Sequence, residues 1–352
     1  MRAHNSIAAL ICPTPLPAKD AVVLGHGSGG KLSAELIRDV FLRSLNNPVL
    51  NRLDDQAIVK IGGSRLAFTT DSFVVKPLFF PGGDIGSLAV HGTVNDLAMG
   101  GATPLFLSAA FIIEEGFSIN QLRRVVDSMH GAAEAAGVEI VTGDTKVVEK
   151  GKGDELFVTT TGIGIVPEDL ILSADRARPG DKVLLSGSIA EHGIAILAQR
   201  EGLEFETAIQ SDSAALNALV ADMLLASREI RCMRDPTRGG VSSTLNEIAQ
   251  QSSVGIELEE TSIPVREEVR GACELLGLDP LYVANEGKLI AIVAPDAAED
   301  VVRAMRRNPI GAAARIIGMV REDNPGTVTM RTPLGTTRIV DMLAGDQLPR
   351  IC

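Results

Sequence analysis

Strand-like and helix-like segments alternate along most of this 352-residue chain, with one clear break at SADRARPGDKV, residues 173–183, which contains a Pro179-Gly180 turn. Such alternation restricts a chain to layered α/β architectures, because period-two strands and period-3.6 helices bury their apolar sides only by stacking on each other. One break implies two units, and the length agrees with two domains of ordinary size. We therefore expect an irregular leader over 1–20, marked by Pro13, Pro15 and Pro17, and an N-terminal domain over 21–172. A C-terminal α/β domain over 173–325 and a hairpin with a tail over 326–352 should follow.

Within the first unit, Ala21–Leu24 reads as a short strand, followed by the glycine loop GHGSGGKL. Leu32, Leu36, Ile37, Val40, Phe41 and Leu45 then mark one face of a helix. Strands are expected around Ala57–Ile61 and Arg65–Thr70, and a small-residue helix over Gly86–Met99. Ser118 with Gln121 is a capping-box pattern. It opens a helix whose buried stripe is Leu122, Val125, Val126 and Met129 and which Gly137 closes. VEIVTG and ELFVTTTGIGIV read as strands, and TVTMRTPLGTTRIV reads as a hairpin.

Charge narrows the possible partners. Net charge −12 and 3% aromatic residues argue against nucleic acid and anionic membranes, which need cationic surfaces and stacking platforms. An acidic chain still binds polyphosphates when divalent cations sit between carboxylate and phosphate. Four cysteines without a C-x-x-C pair point to a reducing compartment, and the cytoplasm is the expectation.

The glycine loop reads Gly25, four residues, Gly30 and Lys31, a phosphate-loop spacing that fails at Leu32, where Ser or Thr would hold Mg²⁺. Aspartates also recur where elements give way to turns: Asp54 and Asp55 in LDDQ, Asp71 in TTDSF, Asp96 in NDLAMGG, Asp144 in TGDTK and Asp235 in RDPTRGG. Asp is common at turns and caps. Several carboxylates on separate turns can also converge to hold ions against a triphosphate. The last residue, Cys352, stands behind Pro349, outside any helix or core strand. A tail of this kind is expected to be mobile and exposed, and its thiol suits covalent attachment. His192, in EHGIAIL, reads as a cap or packing residue at a helix start.

Together, GHGSGGKL, DDQAIV, TTDSFVVKPLFFPGGDIGSLAVHGTVNDLAMGGATP, TGDTKVV, RDPTRGGV, NEGKL and the terminal PRIC resemble the HypE family of hydrogenase maturation factors. That family lies within the ATP-binding superfamily of aminoimidazole ribonucleotide synthetase, selenophosphate synthetase and thiamine-phosphate kinase. The resemblance covers about Val22 to Cys352 and implies the α/β (α+β) two-domain synthetase-like fold. Its N-terminal domain would pair across a homodimer into a β-barrel, its C-terminal domain would be an α/β sandwich, and its tail would be flexible.

The resemblance also implies a chemistry. HypF would transfer a carbamoyl group to Cys352, and ATP with Mg²⁺ would drive its dehydration to a thiocyanate. The cyanide would pass to iron on the HypC–HypD complex for [NiFe] hydrogenase. By motif match, Asp55, Asp71, Asp96 and Asp235, with Asp54, would hold metal. Gly27, Gly29, Gly30, Lys31, Asn95 and Asp144 would meet the nucleotide, Glu286 would be the base and Lys146 the charge stabiliser. The rival readings are a superfamily synthetase or kinase acting on a diffusible molecule, and a non-enzymatic nucleotide-sensing module.

Overall fold

The computed structural model describes residues 21–203, 209–345, 348 and 350–352, so the expected leader over 1–20 lies outside the described residues. The chain builds two layered units. The first has a sheet ordered β1-β2-β7-β5-β6, from β1 (Ala57–Ile61), β2 (Ser64–Phe73), β5 (Thr103–Glu114), β6 (Glu139–Val148) and β7 (Leu156–Val166). Only β5 and β6 run parallel within it. A small hairpin, β3 (Phe79–Phe80) with β4 (Gly83–Asp84), leads into α3 (Ile85–Met99). The glycine loop leads into α1 (Lys31–Leu36) and α2 (Leu42–Leu45), joined by a π-helical turn over Ile37–Phe41.

Helices α3 and α4 (Ile119–Ala136) cover one face of this sheet. The strict alternation of burial along β7 places Leu156, Val158 and Thr160 beneath them. The other face is left uncovered, and Phe68, Phe106, Ile112, Ile163 and Ile165 stand exposed on it. The first turn of α3 is capped by Asp84, whose carboxylate accepts from the Gly86 and Ser87 amides. Ser118 caps α4 and Gly137, at φ +71°, ends it, as the sequence pattern implies.

The second unit has a seven-stranded sheet, β14-β13-β10-β12-β8-β11-β9. Its strands are β8 (Lys182–Leu185), β9 (Ile230–Arg234), β10 (Gly255–Glu259), β11 (Ile290–Val293), β12 (Arg315–Arg321), β13 (Val328–Arg331) and β14 (Thr337–Ile339). Helices sandwich it. Val183, Leu185, Ile290 and Ile292 meet α7 (Gly240–Ser252), while Leu184, Ala291 and Val293 meet α6 (Asn217–Ala226) and α9 (Ala298–Arg307). Burial on both faces explains the continuous apolar run of β11. Helices α5 (Glu191–Glu201) and α8 (Glu267–Leu276) form a further cluster around Ile194, Val269 and Val283. The C-terminal end of α3 joins the units, since Ala98 and Met99 share a core with α6 and α9.

Three local expectations are corrected. Ala21–Leu24 forms no strand; the chain enters a 3₁₀ turn at Leu24–Gly27, and no neighbouring strand pairs with residues 21–24. The stripe Ile37, Val40, Phe41 and Leu45 lies on a helix but is exposed, as is Val126 on α4. Periodicity reveals a face, not what covers it. The expected hairpin is present as β13 and β14. No helix among the described residues is long and apolar enough to cross a membrane.

Candidate active site

A cavity of about 580 Å³ opens where the two units meet, lined by Asp54, Asp55, Asp71, Asp96 and Asp235 together with Gly29 and Gly30. Four separated segments deliver these five carboxylates: the loop before β1, the end of β2, the last turn of α3 and the segment after β9. Asp55 Oδ1 meets Arg234 Nε at 2.6 Å, and Arg234 also reaches Glu247 of α7 at 2.9 Å. One guanidinium thereby ties the first unit to the second. Asp55 Oδ2 is buried without a hydrogen-bond partner. Asp96 Oδ2 lies 2.8 Å from Thr69 Oγ1, and Asp71 accepts from the Ser72 amide. Asp54 is tied to Ser173 Oγ at 3.2 Å and to the Ala174 amide at 3.3 Å, so it anchors the connector between the units as well as lining the cavity.

Burial dominates the electrostatics. It pushes Asp55 and Asp96 well above the usual carboxylate range, Asp71 upward, and Asp235 to about 6. For Asp96 the next largest causes are Asp235, Asp71 and Asp55, like charges facing the same space. Burial opposes the charge on Arg234, but Asp55 and Glu247 hold it protonated.

Among the described residues no three His, Cys, Asp or Glu side chains are grouped closely enough to hold a metal ion by themselves. An orphaned carboxylate oxygen and mutually repelling acids fit a hard divalent ion. Added Mg²⁺ should therefore raise the melting temperature at neutral pH, and the gain should shrink as pH falls through about 6, where Asp235 takes up a proton. Thermal melts across that range check this; a gain independent of pH would contradict it.

The glycine loop closes one wall. A Cβ on Gly29, at φ +73°, would stand 2.4 Å from the Arg238 carbonyl oxygen, and one on Gly30 would stand 2.1 Å from that of Leu343. Only glycine permits this approach. Gly27 sits behind the wall and accepts from Arg238 Nη1 at 3.4 Å. Lys31 turns away from the cavity and pairs with Asp341 at 2.5 Å. Asn95 is also otherwise engaged: its amide bonds the Leu216 amide and the Ala214 and Glu286 carbonyls, so it holds backbone in place. Asp144 and Lys146 lie on the exposed edge strand β6, pair with one another at 2.6 Å, and do not line the cavity.

The tail departs most from expectation. Cys352 is half-buried and Ile351 buried, because the terminus is docked against the end of β2. The Val74 amide donates to a Cys352 carboxylate oxygen at 2.8 Å, and the Lys76 amide to the Arg350 carbonyl at 3.2 Å. His192 Nε2 lies 2.6 Å from the Ile351 carbonyl. Burial pushes the Cys352 thiol up to about 12; Arg238 opposes the shift, and Glu286, Asp71 and Asp235 add to it. These groups therefore lie near enough for their charges to act on the thiol. Glu286 is buried, and its Oε1 has no partner. Its pKa is raised well above normal by burial, then by Asp235 and Asp71. The site thus joins an acid-lined cavity to a seated thiol with a poised carboxyl beside it. Sequence reasoning missed Arg238, Arg200 and the role of His192, since no local pattern marks a helix histidine as a contact for the distant terminus.

Comparisons with known proteins agree with this arrangement. The N-terminal domain model of AIR synthase related proteins matches residues 53–166, and the C-terminal domain model matches 178–331. "Carbamoyl dehydratase HypE" of Azotobacter vinelandii is 60% identical over 332 residues, 94% of this chain and 97% of that protein. The Escherichia coli K12 protein of the same name is 45% identical over 336 residues, 94% and 99% of the two chains. Among solved structures, one of a HypE–HypF complex superimposes with TM-score 0.84 at 50% identity, covering 88% of this chain and 99% of that one. One of HypE in complex with ATP gives 0.80 at 52%, covering 94% and 100%. Thiamine monophosphate kinase of Aquifex aeolicus shares the fold, with TM-score 0.64 at 19% identity. Matched across both domains and nearly end to end, the chain belongs to the HypE family of carbamoyl dehydratases, on the AIR synthase related fold.

Proposed function

We propose that this chain uses ATP to dehydrate a carbamoyl group carried on its own Cys352, giving a thiocyanate whose cyanide serves the iron of [NiFe] hydrogenase. The observation that carries the reading is the docked Cys352, whose thiol feels the charges of Asp71, Asp235 and Arg238 from the cavity lining and that of buried Glu286. The relatives' name and the ATP and HypF complexes of the solved HypE structures support it.

The chemistry follows from the groups present. An amide oxygen leaves poorly, so the γ-phosphoryl of ATP is placed on it. The oxygen lone pair attacks phosphorus, the bond to ADP breaks, and one N–H proton is lost. Loss of the second N–H proton then forms the C≡N bond as the C–O pair departs with phosphate. Glu286 would take a proton from that nitrogen; its burial and one unpartnered oxygen support the role. Arg238, on the cavity wall, offers positive charge beside the sulfur. Gly29 and Gly30 let the glycine loop close against Arg238 and Leu343, forming a wall along which the phosphates would lie. Asp55, Asp71, Asp96 and Asp235 would hold Mg²⁺, which supplies charge neutralisation for phosphoryl transfer when bound.

HypF is the proposed carbamoyl donor and the HypC–HypD complex the proposed acceptor. The docked thiol, at about 12, is a poor nucleophile, so carbamoylation requires the tail to leave the cleft first. The uncovered apolar face with Phe68, Phe106 and Ile165 favours a homodimer. Asp144 and Lys146 on edge strand β6 would then serve the partner copy's cavity. As a test, Cys352→Ala should consume no ATP beyond background when HypF and its substrates are supplied. Undiminished consumption would favour the rival synthetase or kinase acting on a free molecule.

A further inference from the structure

The last residues are held in their groove by hydrogen bonds to main-chain oxygens and by the packing of Ile351. Three consecutive main-chain oxygens each accept a bond: the Arg350 carbonyl from the Lys76 amide and from Arg200 Nη2 at 2.7 Å, the Ile351 carbonyl from His192, and a Cys352 carboxylate oxygen from the Val74 amide. Arg200 Nε also bonds the Lys76 carbonyl at 2.9 Å, fixing the receiving strand. Ile351 fills a core site with Phe80, Ile196 and Ala284. The Arg350 guanidinium pairs with Asp154, which Lys76 also holds at 2.6 Å. Upstream, Leu348 rests against α5 at Gly193, where a Cβ would stand 3.1 Å from its Cδ1.

His192 fixes its tautomer through this network. A carbonyl only accepts, so Nε2 must carry the proton. Nδ1 then accepts from Ser211 Oγ at 2.8 Å. Burial lowers the His192 pKa and keeps the ring neutral, as one donor and one acceptor require.

We propose that the groove made by Val74–Lys76, His192 and Arg200 is a recognition site for peptides ending in Arg-Ile-Cys, able to take such a terminus from a separate molecule. The proposal deepens the function above and rests on it: the substrate class becomes a carbamoylated C-terminal cysteine peptide, and the tether contributes only local concentration. For a short flexible linker that concentration is of millimolar order. A free peptide therefore competes only when the chain's own tail is kept out.

The test uses the full-length chain with Ile351→Asp and Cys352→Ala, whose own terminus neither docks nor reacts. The probe is acetyl-Leu-Pro-Arg-Ile-Cys carbamoylated on sulfur, supplied with Mg-ATP and followed by mass. The peptide is expected to lose one water. Adding His192→Leu should slow this about tenfold, the scale of one lost buried hydrogen bond, and His192→Gln, which keeps a donor, should restore it. A peptide with Asp in place of isoleucine should bind, by fluorescence anisotropy, about tenfold or more weakly. Equal binding and turnover of both peptides would overturn the proposal. So would an unchanged peptide in a mixture where the unsubstituted carbamoylated chain dehydrates its own Cys352. If that chain also fails, the proposed function falls and takes the inference with it.

Discussion

Glu286→Gln is expected to leave the carbamoylated tail intact in the presence of Mg-ATP, with thiocyanate formation slowed about 10²- to 10⁴-fold, the usual worth of a positioned proton acceptor. The substitution preserves size and shape but removes the basic oxygen. The Glu286 amide still donates to Asp212 Oδ1 at 3.1 Å, and the Asn95 side chain still bonds the backbone carbonyl of residue 286, so the backbone should hold. Burial and the neighbouring acids raise the Glu286 pKa, which makes the carboxylate a stronger base once ionised. In the unsubstituted chain the rate should therefore rise with pH through that raised pKa; in the variant this rise should vanish. A mass time course at several pH values checks both. Unslowed product would remove Glu286 from the mechanism.

The second large effect concerns Asp71 and Asp96. Asp71→Asn with Asp96→Asn should cost several kcal/mol of transition-state stabilisation, about a hundredfold or more in ATP-dependent turnover, because the hard negative ligands are gone. The same change should raise stability without Mg²⁺ by about 1 kcal/mol. Both carboxylates are buried, and Asp96 faces Asp235, Asp71 and Asp55, so their neutral replacements relieve repulsion. A more stable but inactive protein separates a binding role from a structural one. Loss of stability together with activity would make these residues structural anchors instead.

Much of the scaffold is legible locally. The alternation Leu156, Val158, Thr160 along β7 and the Ser118 cap of α4 are both dictated by residues within a turn or a strand of each other. The acidic residues are legible as a set, and Asp55, Asp71, Asp96 and Asp235 do converge on one cavity. What escapes the sequence is long-range. Lys31 finds Asp341, Asn95 spends its amide on residues 214, 216 and 286, and Asp144 with Lys146 ends on an open edge strand. The terminal cysteine gives the sharpest case. A residue behind a proline at a chain end defaults to solvent, yet Val74, Lys76, His192 and Arg200 together supply enough bonds to seat it. No spacing in the sequence announces that pairing.

The most direct measurement is the mass of the C-terminal peptide after the carbamoylated full-length chain is incubated with Mg-ATP and cleaved. Conversion on the chain's own sulfur predicts the loss of one water, mapped to Cys352 and dependent on ATP. A tail that keeps its carbamoyl mass while ATP is consumed would contradict the account.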